Sequence, residues 1–134
     1  MVEIIRQQKY GRFMKLGLHA IDEAKRCLNC KKTACVEGCP ISTPVPAMIR
    51  MFLDGQMADA AEMVFENNPL SVICSLVCDH EKQCEGHCVK GINGEPVHIS
   101  SIENYISDTC FDKIKLEKHS WNSQRIVVVG AGPA

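Results

Sequence analysis

Eight of the nine cysteines fall into two tight runs, Cys27-x2-Cys30-x4-Cys35-x3-Cys39-Pro40 and Cys74-x3-Cys78-x5-Cys84-x3-Cys88. Thiolates are soft, anionic ligands, and four of them within about fifteen residues, twice over, read first as metal binding. A dense run closed by Cys-Pro is a common way to hold an iron–sulfur cluster. The spacing predicts two cubane [4Fe-4S] clusters, and with them the movement of electrons.

A tight turn can place three thiolates on one corner of a cube but cannot surround it, so the fourth ligand comes from elsewhere. In the bacterial two-cluster run, the cysteine before proline ligates the other cluster. The same logic gives Cys27, Cys30 and Cys35 to one cluster, with Cys88 crossing back to complete it. Cys39 then crosses to the second, joining Cys78 and Cys84. The eighth ligand has two candidates. Cys74 lies one helical turn before Cys78. Glu103 shares a helix face with Ile99, Ile102, Ile106 and Cys110. A carboxylate aimed into a core is costly unless something cationic meets it, although one at the stripe's edge can reach solvent or a lysine. Periodicity leaves both open. A pair of zinc sites fits less well, because only Cys27 and Cys30 have the Cys-x2-Cys spacing such sites favour. A third reading is a docking domain in which the clusters serve as staples.

Some neighbouring residues invite chemistry as well. His80 and His87 fall within the second run, where they suit hydrogen bonding to cluster sulfurs or ordinary solvated loop positions. Lys31 and Lys32, between Cys30 and Cys35, suit either charge compensation or solvation. Cys110 continues an apolar stripe and reads as a small core residue.

The elements that must position these groups are helical. At 134 residues the chain is one domain, or one domain and a fragment. Such a length buries roughly 65–70% of its unfolded surface, so the cysteines are not needed as staples for stability. Aromatic residues make up 5% and the net charge is -1, which gives no signal for nucleic acid or membrane. No segment approaches the ~20 apolar residues of a membrane span. The opening Met-Val-Glu-Ile-Ile-Arg lacks the order of a signal peptide. The cytoplasm, where cysteines bind metals before they form disulfides, is the expected compartment.

Residues 1–19 form a lead-in, and a short helix over Ala20–Leu28 delivers the first two cysteines. Cys30–Ser42 reads as a loop. Thr43 is the expected N-cap of the next helix and Pro44 its first residue. Val45, Met48, Ile49, Phe52 and Leu53 then follow a helical stripe that stops at Asp54-Gly55. Met57, Ala60, Ala61, Val64 and Phe65 repeat the pattern up to Asn67-Asn68-Pro69, making a helical hairpin. Leu70–Val77 is a further short helix, His80–Cys88 a loop with a helical turn, and Val97 to Phe111 the last helix. No strand is expected before residue 125.

Residues 113–124 read as a polar linker. Ile126-Val127-Val128-Val129-Gly130-Ala131-Gly132 then has the form of a buried parallel strand entering a glycine turn. It matches the opening of Gly-x-Gly-x-x-Gly, with Gly130 and Gly132 as candidate cofactor-binding positions. The expectation is that residues 125–134 begin a truncated dinucleotide-binding domain, and that this chain is the amino-terminal piece of a longer protein.

Arg26-Cys-Leu-Asn-Cys, Cys39-Pro-Ile, Asn68-Pro-Leu, Cys84-Glu-Gly-His-Cys-Val and Glu95-Pro-Val-His-Ile-Ser-Ser-Ile-Glu-Asn-Tyr form a connected set. Residues 20–112 thereby resemble the amino-terminal helical iron–sulfur domain of the glutamate synthase small subunit. The same domain occurs in dihydropyrimidine dehydrogenase and in the large subunit of the NADH-dependent ferredoxin:NADP oxidoreductase. The resemblance implies an all-α, alpha-helical ferredoxin-like fold with two [4Fe-4S] clusters and the crossed cysteine pairing. It implies a downstream FAD domain that takes electrons from NAD(P)H. It also implies a partner oxidoreductase subunit or domain, glutamate synthase large subunit-like or ferredoxin-linked. It favours Glu103 over Cys74 as the eighth ligand, since some members carry Gln or Glu at the matching position. Asp79 departs from the pattern, standing where many relatives have Pro.

Overall fold

A computed structural model describes residues 17, 19–114, 124–127 and 129–130. The described part is built from helices. Helix α1 covers residues 19–25, followed by α2 (Ala34–Glu37), α3 (Val45–Leu53), α4 (Met57–Asn67), α5 (Ser71–Val77) and α6 (Ile99–Cys110). Two short 3-10 turns, Val89–Ile92 and Phe111–Lys113, complete the set. Most of the 1–19 lead-in and the 113–124 linker lie outside the described residues, as does Gly132.

The helical stripes dictate the core. Met48, Ile49 and Phe52 of α3 meet Ala60, Ala61 and Val64 of α4, and Ile99, Ile102 and Ile106 of α6 close over them. Fully burying a side chain such as Ile102 contributes about 1.5–3 kcal/mol. Helices α3 and α4 pack together across the link at residues 54–56, as the hairpin reading expects. Gly55 makes that link possible. Its φ of +77° sends the chain out of α3 in the left-handed region. Cys110 is buried at the end of the α6 stripe, its thiol 3.8 Å from the Met57 carbonyl oxygen.

Several expectations are corrected. Helix α3 begins at Val45, with Pro44 in the cap position and Pro46 in the first turn. Thr43 caps nothing, because its hydroxyl donates to Asn67 Oδ1 at 3.1 Å instead. Leu53, at the helix end, turns outward and is exposed. The loop Cys30–Ser42 contains the one-turn helix α2. The first helix stops before Arg26 rather than at Leu28, and the last starts at Ile99.

Residues 124–127, 129 and 130 form no strand, and Ile126, Val127 and Val129 are exposed. A parallel strand needs neighbours for its backbone groups and for both of its faces. Gly130 adopts φ +101°, open only to glycine at little cost.

The N-terminus of α6 is held from two sides. Glu85 accepts from the Ser100 backbone N–H (2.8 Å) and from its hydroxyl (2.7 Å). Glu23 of α1 accepts from the His98 backbone N–H at 3.1 Å. Both carboxylates satisfy donors that a helix start leaves open and oppose its positive dipole end. Arg26 completes the clasp, donating to Glu23 (2.7 Å), Pro96 O (3.1 Å) and Glu95 O (2.7 Å). Cys27 follows Arg26 and Cys84 precedes Glu85. The helix is therefore docked by the neighbours of both cysteine runs.

Candidate metal centre

Two cavities gather the predicted ligands. Cys27, Cys30, Cys35 and Cys88 line the first, a narrow, almost wholly apolar space of about 30 Å³. Cys39, Cys78, Cys84 and Glu103 line the second, about 180 Å³, together with Cys74. Each cavity draws thiols from both runs. Val45 is a wall of both.

Local structure explains how a continuous chain reaches these positions. Asn29 adopts φ +48° between Cys27 and Cys30, a left-handed conformation that Asn tolerates. Its side-chain oxygen accepts from Arg50 Nη2 at 3.0 Å, pinning the turn to α3. Helix α2 carries Cys35, and Cys39 follows it by two residues. Ser42, at φ +54°, turns the chain back into α3. The Cys39 thiol donates to Thr43 Oγ1 at 3.4 Å, and the Asn67 amide nitrogen donates to Ile41 O at 3.1 Å. Cys74 and Cys78 sit one turn apart at the end of α5.

The electrostatics are uniform in sign. Burial pushes the Cys35 thiol up, and Cys88 and Cys27 add to the effect. Cys78 is raised by burial, then by Cys74, Glu103 and Cys39. Cys84 is pushed up to about 12, chiefly by burial and then by the carboxylate of Glu85. Glu103 is pushed up to about 7 by burial alone. Among the described residues its carboxylate has no hydrogen-bond or ion-pair partner. Each of these groups resists ionising chiefly because burial strips water from its charged form. A positively charged guest would reverse that balance, exchanging protons for metal bonds.

The donor sets suit an iron–sulfur cluster. Among the described residues, no three or more His, Cys, Asp or Glu side chains are arranged to hold a single ion. A zinc ion draws four thiolates to within about 2.3 Å of one point. The donors here instead line two cavities.

Other sequence candidates lie elsewhere. Lys31 and Lys32 are exposed and line neither cavity, whereas Lys90, which no motif marks, borders the first. His80 borders the second cavity. His87 borders neither; its Nδ1 lies 2.6 Å from Gln83 O. Asn68 and Thr43 also border the second cavity, although their sequence contexts signal only a helix stop and a cap. Gly130 has nothing within 4 Å of where a Cβ would stand.

Comparison with known proteins agrees with the resemblance. A family described as dihydropyrimidine dehydrogenase domain II, 4Fe-4S cluster, matches residues 7–115. The glutamate synthase [NADPH] small chain of Halomonas elongata is 33% identical over 118 residues, covering 86% of this chain and 25% of the relative. Its Escherichia coli K12 counterpart is 30% identical over 115 residues, covering 84% and 24%. The NAD-dependent dihydropyrimidine dehydrogenase subunit PreT of the same strain is 32% identical over 122 residues, covering 88% and 29%. The chain thus spans about a quarter of the length of these relatives.

Proposed function

The chain belongs to the family of dihydropyrimidine dehydrogenase domain II, 4Fe-4S cluster, and from that premise we propose that it is the electron-transfer module of an NAD(P)H-dependent flavin oxidoreductase. Residues 20–112 hold two [4Fe-4S] clusters. Cys27, Cys30, Cys35 and Cys88 ligate the first, and Cys39, Cys78, Cys84 and Glu103 the second. The observation that carries the reading is the sorting of donors from both runs into two cavities.

Each cluster, when bound, supplies a one-electron carrier whose potential responds to its ligands, hydrogen bonds and exposure. The apolar walls of the first cavity partly shield the half-buried sulfur donors from water. Glu103 is preferred to Cys74 because a buried carboxylate without a partner needs a cation, whereas a neutral thiol does not. A carboxylate oxygen in place of a thiolate sets the second centre apart from the first.

Residues 125–134, with Gly130 and Gly132, open a downstream domain that binds FAD and takes electrons from NAD(P)H. The clusters relay between that flavin and a partner subunit or domain, glutamate synthase large subunit-like or ferredoxin-linked, in the cytoplasm. The relatives' names support this, being a small chain and a subunit of NAD(P)-linked enzymes. The isolated module catalyses nothing itself.

Iron and acid-labile sulfide analysis tests the reading. About eight irons and eight sulfides per chain are expected. A colourless protein carrying two zinc ions would overturn it. In the full-length protein, NADPH or NADH should reduce the clusters; clusters untouched by either would reduce the domain to a docking element.

A further inference from the structure

Asn68 ends α4 in an extended conformation, and its polar groups are satisfied with one exception. Its backbone N–H donates to Val64 O at 2.8 Å, and its carbonyl accepts from the Ser71 N–H at 3.0 Å. Its side-chain oxygen accepts from the Leu70 N–H at 3.0 Å, which fixes which end of the amide is which. The remaining group, Nδ2, is buried and has no partner. Asn68 borders the second cavity, alongside Cys39, Cys74, Cys78, Cys84 and Glu103. A buried donor without an acceptor is rare in folded proteins and calls for a specific explanation.

We propose that the Asn68 side-chain amide donates an N–H···S hydrogen bond to a sulfur of the cluster in the second cavity. Asn68 is then a positioning residue that tunes that centre. The inference rests on the cluster reading above. A donor aimed at cluster sulfur stabilises the more negative, reduced state, and so raises the potential of the second centre relative to the first. The asymmetry is built into the fold. Apart from the Glu103 carboxylate, the Ser107 hydroxyl is the one other buried side-chain polar group without a partner among the described residues, and Ser107 borders neither cavity.

The test uses the cluster-loaded chain. Asn68→Ser keeps an oxygen for the Leu70 N–H but removes the amide donor. Iron and sulfide content should stay at the wild-type level. The second centre's potential should move to a more negative value while the first stays put. Unchanged potentials in a fully loaded variant would overturn the proposal and leave the cluster reading standing; a wild-type chain without iron would overturn both. Should the variant fail to load, wild-type protein labelled with 15N-asparagine decides the matter. Pulsed EPR of the reduced second centre should show coupling to a side-chain amide nitrogen and an exchangeable proton. Absence of both couplings refutes the hydrogen bond.

Discussion

The His87 ring occupies the space that a side chain on Gly38 would need. A Cβ at residue 38 would clash with ring atoms Nδ1 and Cγ and stand only 3.0 Å from His87 Cβ. Gly38 precedes Cys39 and His87 precedes Cys88, the two cysteines that cross between runs. This contact therefore sets the spacing of the two crossing points. The ring atoms make the clash; His87 Cβ, at 3.0 Å, need give only a few tenths of an ångström.

Gly38→Ala should destabilise the loaded protein by about 1–3 kcal/mol, the usual range for overpacking. Truncating the ring should restore room, so Gly38→Ala combined with His87→Ala should recover much of the loss. A thermal-unfolding double-mutant cycle measures the coupling. Strictly additive losses would show that the two residues do not communicate.

The clasp on α6 predicts a pH dependence. Burial pushes the Glu23 carboxyl up, but the His98 backbone N–H and the Arg26 guanidinium outweigh it and hold it below 4.5. The native state thus binds fewer protons than the unfolded chain in that range. Stability from Glu23 is full above about 4.5 and declines as pH falls through the lowered value. Glu23→Gln should cost about 1–3 kcal/mol at neutral pH and flatten the acid limb of a denaturation profile. Arg26 is partly exposed, so screening trims the ion-pair share and leaves the backbone hydrogen bond as the larger part.

Glu103 predicts the opposite slope in cluster-free protein. Burial raises it to about 7, so the native state binds more protons than the unfolded chain between about 4.5 and 7. Stability of the cluster-free form should fall as pH rises through that window, and Glu103→Gln should remove the fall. Chemical denaturation of chelator-stripped protein at a series of pH values measures it. In loaded protein, the same substitution should perturb the second cluster's potential and leave the first unchanged.

Two thiols that share the second cavity should behave differently. Cys84→Ala should lose the iron of the second cluster, whereas Cys74→Ala should keep about eight irons per chain. Iron analysis after reconstitution separates them. Loss of iron in Cys74→Ala with retention in Glu103→Gln would hand the eighth position to the thiol.

The two runs whose thiols line the cavities were legible in the sequence because spacing within a run is local. The α3–α4 hairpin was legible because its stripes repeat over several turns. Helix α2 was not, since one turn is too short to show a period. Thr43 looked like a cap because Ser and Thr before a helix usually are; only the position of Asn67, 24 residues on, reveals where its hydroxyl goes. Asn68 is the clearest case. Its backbone role as a helix stop is written in Asn-Pro, but its place on the cavity wall depends on α5 and α6, which bring Cys74 and Glu103 to the same cavity. The run 126–129 has the composition of a strand, yet composition cannot supply the neighbouring strands that would pair with it.

Val45, one buried side chain, walls both cavities. Charge added on one side of so thin a partition is felt on the other, in surroundings that screen it weakly. Reduction at one centre should therefore oppose reduction at the other. The pair should accept its two electrons anticooperatively, the second entering at a more negative potential than it would with the other centre oxidised. Two clusters placed in these cavities would pass single electrons in sequence rather than store two.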